Sequence, residues 1–265
     1  MSNQKSKRKR QEQFIIERLN LCEDVLSTIE VARTLNISES TARRLFNELE
    51  EKGSVVRVYG GIVNSDNNLN EYRFDKLQMQ YVEEKQRIGK AASQLINDGD
   101  TLFIDSGTTA QQVAIGMARR LRRKELNNIR VFTNSMINVE ILSDYCEVSL
   151  LGGMYRKNRK DFYGYITDIV LDVISFDKSF VGADSIYVGA DGGASASDTY
   201  TAQISRKVVG KTAENYVVAD CTKFNKRSLV EFINMKQMNT IITDVGLSDE
   251  VVNEGVSQGV KILRV

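Results

Sequence analysis

The sequence predicts an α/β protein in two parts: a small N-terminal head of short helices closed by a two-stranded wing, then a larger domain built on a parallel sheet. Three observations carry this prediction. Residues 27 to 61, STIEVARTLNISESTARRLFNELEEKGSVVRVYGG, read as helix, turn, helix and hairpin in that order. Residues 64 to 73, NSDNNLNEYR, are polar and asparagine-rich and form a linker. From residue 74 onward short apolar runs alternate with helical segments, the pattern of a parallel sheet with both faces covered. The predicted division is a head with a basic N-terminal arm over residues 1–63, the linker over 64–73, and an α/β domain over 74–265.

In the head, Val31, Ala32 and Leu35 form the apolar stripe of a first short helix, and Asn36-Ile37 supplies a turn. Ser38 is placed to cap a second helix, because its hydroxyl can accept a backbone N–H that the first turn leaves unpaired. Ala42, Leu45, Phe46 and Leu49 recur at i, i+3, i+4 and i+7 and share one apolar face. Ser40, Arg44 and Asn47 fall opposite, with Thr41 and Arg43 on the flanks. Acids are read only toward the far end, at Glu48, Glu50 and Glu51. Gly53 ends the helix. Val55, Val56 and Val58 then alternate with Arg57 and Tyr59 before Gly60-Gly61, a hairpin with an outward-facing cation.

A helix with a cation, amides and hydroxyls near its N-terminal end suits the major groove of double-stranded DNA. The plainer alternative is an amphipathic helix with a solvated face. The order of the elements favours a winged helix-turn-helix, with Ser38, Ser40, Thr41, Arg43, Arg44, Asn47, Arg57 and Tyr59 as DNA-binding candidates. Arg43, Arg57 or the N-terminal arm would meet phosphates, and Arg44, Ser40 and Asn47 would reach base edges. Lys5, Lys7, Arg8, Lys9 and Arg10 precede any acid in the chain and read either as a solvated, disordered tail or as a phosphate-contacting arm.

These residues carry a family likeness. The head resembles that of DeoR-type bacterial transcriptional repressors, through the Ser-x-x-Thr-x-Arg-Arg core (Ser38, Thr41, Arg43, Arg44) and the Arg-x-x-Gly-Gly wing (Arg57, Gly60, Gly61). Leu45 stands where the family usually has aspartate, and the helical spacing turns it to the core.

In the second part, Phe74, Leu77 and Tyr81, then Ile88, Ala91, Ala92, Leu95 and Ile96, continue a helical pattern that Asn97-Asp98-Gly99-Asp100 ends. TLFID is followed by a helix from about Thr109, IRVFTN by MINVEILSD, then VSLLGG, KSFVGAD, a long helix to Asn215, YVVAD and TIITD. In such sheets ligands bind beyond the carboxyl ends of the strands. Polar residues and glycines gather there: Asp105, Ser106, Gly107, Thr108 and Thr109, then Thr133-Asn134, Gly152-Gly153 with Arg156, Gly182-Ala183-Asp184, and Asp220 with Lys223. Glycine lets a backbone approach closely, hydroxyls donate, and a helix N-terminus favours an anion, so Asp105–Thr109 reads as a phosphate cradle with a carboxylate for a sugar hydroxyl. An ordinary turn and cap is the alternative for that segment alone.

The order of these segments also resembles the DeoR-type C-terminal sensor domain, which is related to ribose-5-phosphate isomerase and binds phosphorylated sugars. The matching positions include Glu84-Lys85, Asp98-Gly99-Asp100, Phe180, Gly182-Ala183-Asp184 and Phe224. The resemblance implies that Asp105 to Thr109, Asp184, Asp220 and Lys223 line an effector site, with Lys223 on phosphate and Asp105 on hydroxyls.

Composition narrows the function. The 265 residues carry a net charge of +1 and no histidine, which excludes Ser-His and Cys-His catalysis and most metal centres. Cys22, Cys146 and Cys221 are odd in number and far apart, which fits a reducing cytoplasm and neither a disulfide framework nor a zinc site. Nothing approaches a membrane span and no apolar stretch follows the basic run, so no membrane partner and a cytoplasmic location are expected. No metal or cofactor is expected. The absence of proline has no physical account.

The expectation is a DNA-binding transcriptional repressor of sugar metabolism. Its partners are a double-stranded operator, a phosphorylated-sugar effector and further copies of itself, as dimer or tetramer, because symmetric pairs read DNA half-sites. The alternative is a sugar-phosphate isomerase with an appended DNA-binding head. Ser185 after Asp184, and a later loop GADGGASASD without lysine, make that a poorer fit to catalysis. An effector-independent DNA scaffold is a third reading.

Overall fold

The computed structural model describes residues 2–21, 26–58, 60–64 and 72–265, with side chains from residue 8 onward except at 20, 21 and 64. Tyr59 and Cys22 lie outside the described residues, as does most of the linker. The chain divides into two compact units, Met1–Glu71 and Tyr72–Val265.

The first unit holds helices α1 (Ser2–Leu21), α2 (Thr28–Thr34) and α3 (Glu39–Glu51), with strands β1 (Leu26–Ser27), β2 (Val55–Val58) and β3 (Gly61–Asn64). The hydroxyls of Ser27 and Ser38 cap α2 and α3, accepting from the backbone N–H groups of Glu30 and Thr41 at 3.1 and 3.2 Å. Gly53, at φ 71°, turns the chain out of α3 in a conformation that favours glycine. The apolar faces of α2 and α3 meet Ile15 and Leu19 of α1 and Leu26, Val55 and Ile62 of the sheet in one buried cluster. β2 and β3 pair antiparallel, Arg57 opposite Ile62, and β1 adds a third strand beside β3.

Three expectations about the head change. The basic run is neither a disordered tail nor a free arm at Arg8: it lies in α1, and Arg8 forms a bidentate pair with Glu48 of α3 at 2.5 and 2.8 Å. Acids are not confined to the far end of α3, since Glu39 stands in its first turn and pairs with Arg43 at 3.3 Å. Arg57 does not face outward, because it folds back onto α3 while Val56 takes the exposed side of the strand.

The second unit runs α4 (Phe74–Leu77), α5 (Val82–Ser93), β4 (Thr101–Ile104), α6 (Thr108–Arg122), β5 (Arg130–Thr133), α7 (Met136–Leu142), β6 (Glu147–Leu150), β7 (Met154–Arg156), β8 (Asp161–Tyr163) and α8 (Tyr165–Val173). It continues with β9 (Phe176–Gly182), β10 (Ser185–Tyr187), β11 (Gly193–Ala196), α9 (Thr199–Gly210), β12 (Thr212–Val218), β13 (Val230–Asn234), β14 (Thr240–Thr243), α10 (Asp249–Ser257) and β15 (Lys261–Arg264). Seven strands form one sheet, in the order β15-β14-β12-β9-β4-β5-β6, and every pairing within it is parallel.

Alternate residues of the strands enter opposite layers. Leu102 and Ile104 pack with Ile88, Val113 and Met117 of α5 and α6, while Phe103 packs with Leu171, Val208 and Val251 of α8, α9 and α10. The expected long helix to Asn215 stops at Gly210, and residues from Thr212 form β12, paired with β9 from Thr212↔Phe176 to Val218↔Gly182. The helical pattern from Phe74 to Ile96 is also broken: Tyr81, at φ 51°, separates α4 from α5, and α5 ends at Ser93.

The sheet sets the site's position. From β4 the chain proceeds outward through β5 and β6; from β9 it proceeds the other way through β12 and β14. The order therefore reverses between β4 and β9, and open α/β sheets place ligands at the carboxyl ends of such strands.

Candidate functional site

The first candidate is the exposed face of α3. Ser40, Arg43, Arg44 and Asn47 are exposed, Thr41 is half-buried, and Leu45 is fully buried. Ser38 does more than cap: its hydroxyl lies 2.9 Å from that of Ser40 and 2.8 Å from that of Thr41, holding the three in one polar cluster. The Arg57 Nη1 donates to Oδ1 of Asn47 and, at 3.4 Å, to the carbonyl of Arg43. Glu50 accepts the backbone N–H of Arg57 at 2.9 Å and so pins the wing to the helix. Hydroxyls, amide and guanidinium groups thus sit on one side of a helix that is buried on the other.

The second candidate is a pocket at the carboxyl ends of β4, β9 and β12. Asp105, Ser106, Gly107, Thr108, Thr109, Asp184 and Lys223 line it, as expected of the strand ends they follow. So do Gly182 and Ala183 of the same strand end as Asp184, and Tyr72, Leu77, Lys85, Arg159, Ala196, Thr201 and Val218, which strand-end reasoning did not supply. Glu84-Lys85 entered only through the family likeness and was not carried into the site. Arg159 belongs to the turn between β7 and β8, and Tyr72 to the polar linker, so neither has a positional signal of its own.

α6 starts at Gly107, whose lack of a side chain leaves the first N–H groups of the helix without a side-chain cap. Ser106, Thr108 and Thr109, each under a tenth exposed, stand around that end. Asp105 is fixed by two backbone donors: Oδ1 accepts from Ser106 at 2.7 Å and Oδ2 from Gly182 at 2.9 Å, which ties β4 to β9. Burial pushes its carboxyl above the ordinary range, against those two hydrogen bonds. Asp184 accepts the backbone N–H and the hydroxyl of Ser197, both at 2.7 Å.

Three cations face these groups. Lys85 is 4 % exposed, donates from Nζ to the carbonyl of Leu77 at 2.6 Å, and is pushed down to about 8, by burial first and by Lys223 in addition, with Asp220 opposing. Arg159 reaches Asp198 and the Ser197 hydroxyl at 3.0 Å each, with Asp184 at 3.8 Å. Lys223 follows Asp220 in a single 3-10 turn, and among the described residues its ammonium has no hydrogen-bond or carboxylate partner. Such a set of donors suits an oxyanion.

The remaining predicted effector residues do not line the pocket, and most of their polar atoms are used inside the fold. Thr133 donates to the carbonyl of Ile104 at 2.6 Å, and Asn134 to that of Phe162 at 3.1 Å. The carbonyl of Gly152 accepts from Thr167 at 2.7 Å. A Cβ on Gly153 would stand 2.4 Å from the carbonyl oxygen of Tyr163, so glycine there serves a close approach. Arg156 grips Asp161 at 2.6 and 2.8 Å and Asp198 at 2.9 Å. Asp220 is 1 % exposed; its Oδ1 accepts from Thr222, and its Oδ2 has no hydrogen-bond partner among the described residues. Among the described residues, no group of three or more His, Cys, Asp or Glu is placed to hold a metal, and no helix is long and apolar enough to cross a membrane.

A winged helix-turn-helix joined to an α/β domain with a polar pocket is the layout of a transcription regulator. Residues 10–68 match the DeoR-like helix-turn-helix domain and residues 80–245 the DeoR C terminal sensor domain. The chain belongs to the DeoR family. It is similar to the HTH-type transcriptional regulator IolR of Bacillus subtilis, 29% identical over 237 residues that cover 89% of this chain and 91% of that one. It is 33% identical to a lactose phosphotransferase system repressor of Staphylococcus epidermidis over 82% of this chain and 84% of that one. The repressor of the same name from Streptococcus mutans is 30% identical over 84% and 86%. A ribose 5-phosphate isomerase A from Methanocaldococcus jannaschii aligns at TM-score 0.40 and 20% identity over 54% of each chain, a likeness too slight to bear on this protein.

Proposed function

We propose that this protein is a repressor of sugar-related genes, that α3 and the wing read a double-stranded operator, and that the pocket binds a phosphorylated sugar or a related metabolite. The observation that carries the effector reading is the convergence of Lys85, Lys223 and Arg159 on the uncapped N-terminus of α6. A phosphate there would meet backbone N–H groups, the hydroxyls of Ser106, Thr108 and Thr109, and three cations, while Asp184 stands by for sugar hydroxyls. The names of the relatives, two of them lactose phosphotransferase system repressors, point to the same class of ligand.

Regulation follows if the effector binds one arrangement of the protein better than another and so shifts its population. Operators are read by symmetric pairs, so the protein acts as a homo-oligomer. An apolar face on α8, with Tyr165 and Val173 four-fifths exposed beside Ile166 and Ile169, supports self-association. The acids on that helix, Asp168 and Asp172, share the single ammonium of Lys207 at 3.0 and 2.8 Å.

A thermal-shift screen of pentose and hexose phosphates, with the unphosphorylated sugars as controls, tests the effector reading. Ligand at a hundred times its Kd adds about 2.7 kcal/mol of stability. A shift confined to phosphorylated compounds is the expected result. No shift from any of them, with DNA binding intact, removes the effector half of the reading.

A further inference from the structure

Charge is spread unevenly along this chain. The head, Met1–Glu71, carries 11 lysines and arginines and 11 aspartates and glutamates, a net charge of zero. Two of those cations, Arg8 and Lys52, are spent on Glu48 and Glu12 at 2.5 and 2.6 Å. Attraction to a duplex that does not depend on sequence grows with the number of phosphates a protein neutralises, so a neutral head has little of it to offer. Between Arg119 and Arg130, by contrast, six cations accompany one acid, Glu125, in a chain whose total is +1.

That segment is the end of α6, the turn after it and the first residue of β5. Arg119, Arg122 and Arg123 stand at i, i+3 and i+4 and share one face of the helix end. All three are exposed, as are Lys124 and Arg130, while Arg120 turns inward and donates to the carbonyls of Ser93 and Ile96. Glu125 lies 3.8 Å from Arg120 and 3.8 Å from Arg123. Among the described residues, the charged groups of Arg119, Arg122, Lys124 and Arg130 have neither a carboxylate nor a hydrogen-bond partner. Lys124 and Arg130 line one cleft with the half-exposed ring of Tyr145, and Glu147 brings a single carboxylate to it.

Cations near the C-terminus of a helix complement its dipole, which accounts for Arg119 and Arg122. It does not account for Arg130, which sits on a strand, or for Lys124. The backbone of Lys124 has φ 59°, the left-handed conformation that favours glycine where a helix ends. The turn carries a lysine there instead.

The patch is remote from the effector pocket. Arg130 and Glu147 open β5 and β6, so the cleft lies at the amino ends of the parallel strands, on the rim opposite the pocket. α6 runs from one rim to the other, about 22 Å over its 15 residues. An anion on the patch therefore leaves Lys85, Lys223 and the N-terminus of α6 to an effector.

We propose that the end of α6 and Arg130 form a second DNA-contacting surface, which holds the sugar-phosphate backbone of the duplex beyond the segment that the head reads. Four of its five exposed cations are arginines, whose planar guanidinium groups match phosphate oxygens in pairs. The occupant is DNA, and not an acidic protein, because the chain has a helix-turn-helix domain whose own net charge is zero. Contacts with the backbone add affinity and salt dependence without sequence preference. The proposal rests on operator reading by the head and extends the footprint to the second unit.

The test uses the full chain and two duplexes built on one sequence selected from a random pool. The short duplex spans the sequence that selection fixes, and the long one adds about one and a half helical turns of unrelated sequence at each end. Fluorescence polarisation gives the affinity for each across a range of salt concentrations. Wild type should bind the long duplex on the order of tenfold more tightly near physiological salt, with a steeper fall of log K against log salt. The triple variant Arg122→Gln, Lys124→Gln, Arg130→Gln should lose that advantage. Its slope on the long duplex should fall by up to about 2.7 per protomer, roughly 0.9 for each phosphate contact removed. Its melting temperature and its affinity for the short duplex should match those of wild type.

A control removes the same charge from exposed positions elsewhere in the second unit, as Lys226→Gln, Lys236→Gln, Lys261→Gln. It should keep the advantage of the long duplex. Equal affinity and slope of wild type on the two duplexes, or an equal loss in the two triple variants, would overturn the proposal and leave operator reading by the head in place. A wild type that does not distinguish the short duplex from a scrambled one would overturn operator reading and the proposal with it.

Discussion

Arg57 of the wing donates to the side-chain oxygen of Asn47 on the recognition helix, and its guanidinium lies 5.7 Å from the centroid of the Phe46 ring beneath. Two of the residues expected to touch DNA are therefore already partners of one another. Their effects on operator binding should be coupled. A double-mutant cycle with Arg57→Ala and Asn47→Ala, read as affinity for a selected operator, should depart from additivity by about 0.5–3 kcal/mol. Additive losses would show that the two act separately on DNA.

Arg44 stands differently. It is exposed in the middle of α3, and neither a hydrogen bond nor a salt bridge is found for it among the described residues. Arg44→Ala should cost about 1–3 kcal/mol of discrimination at one operator position and leave the melting temperature and effector binding unchanged. Selection of bound sequences from a random duplex pool reads this directly. An unchanged sequence preference would remove Arg44 from the base-reading set.

The head was largely legible in the sequence because each signal there is local. Ser38 and Gly53 mark the ends of α3, the i, i+3, i+4, i+7 spacing marks its buried face, and Gly60-Gly61 marks the wing. α1 was not, because its apolar residues inside a charged stretch are few and only packing against α2 and α3 gives Ile15 and Leu19 their meaning. The parallel strands were visible as apolar runs. β12 was partly hidden, because the helical pattern of α9 runs on toward it and Gly210-Lys211 is a weak stop.

The pocket was half legible. A polar residue at a strand's carboxyl end can be placed on the correct rim, but position alone does not say whether its side chain meets a ligand or a neighbouring loop. Thr133, Asn134 and Arg156 meet neighbours. Lys85, Arg159 and Tyr72 come from a helix interior, a hairpin turn and a linker, and only the folded chain brings them together.

Lys85 predicts a pH dependence. Its ammonium is pushed down from 10.5 to about 8, so the folded protein releases that proton earlier than the unfolded chain does. Burying the charge weighs against stability below pH 8, and that penalty is relieved as pH rises from about 8 to 10.5, where only the unfolded chain holds the proton. Phosphate binding runs the opposite way, since the protonated amine is the form that attracts an anion. Affinity for a sugar phosphate should fall as pH passes about 8, and Lys85→Gln should bind more weakly without that fall. Calorimetry between pH 7 and 9 gives the comparison.

Gly89 of α5 faces α6 so closely that a Cβ would stand 2.3 Å from the carbonyl carbon of Gln112. Alanine would ordinarily gain about 1 kcal/mol of helix propensity over glycine. Here the clash is with backbone and should outweigh that gain, leaving Gly89→Ala about 1–3 kcal/mol less stable. Thermal or urea unfolding decides the sign, and a stabilised variant would mean that the two helices can move apart at little cost.

The account as a whole holds that one protein joins operator reading to effector binding. Fluorescence polarisation of a selected operator duplex, titrated with and without the sugar phosphate found by thermal shift, measures that link. The effector should change operator affinity at least about fivefold, a coupling of 1 kcal/mol or more. Lys223→Ala should abolish the change while keeping the affinity for DNA. An operator affinity indifferent to every phosphorylated sugar, or a response that survives unaltered in Lys223→Ala, would contradict it.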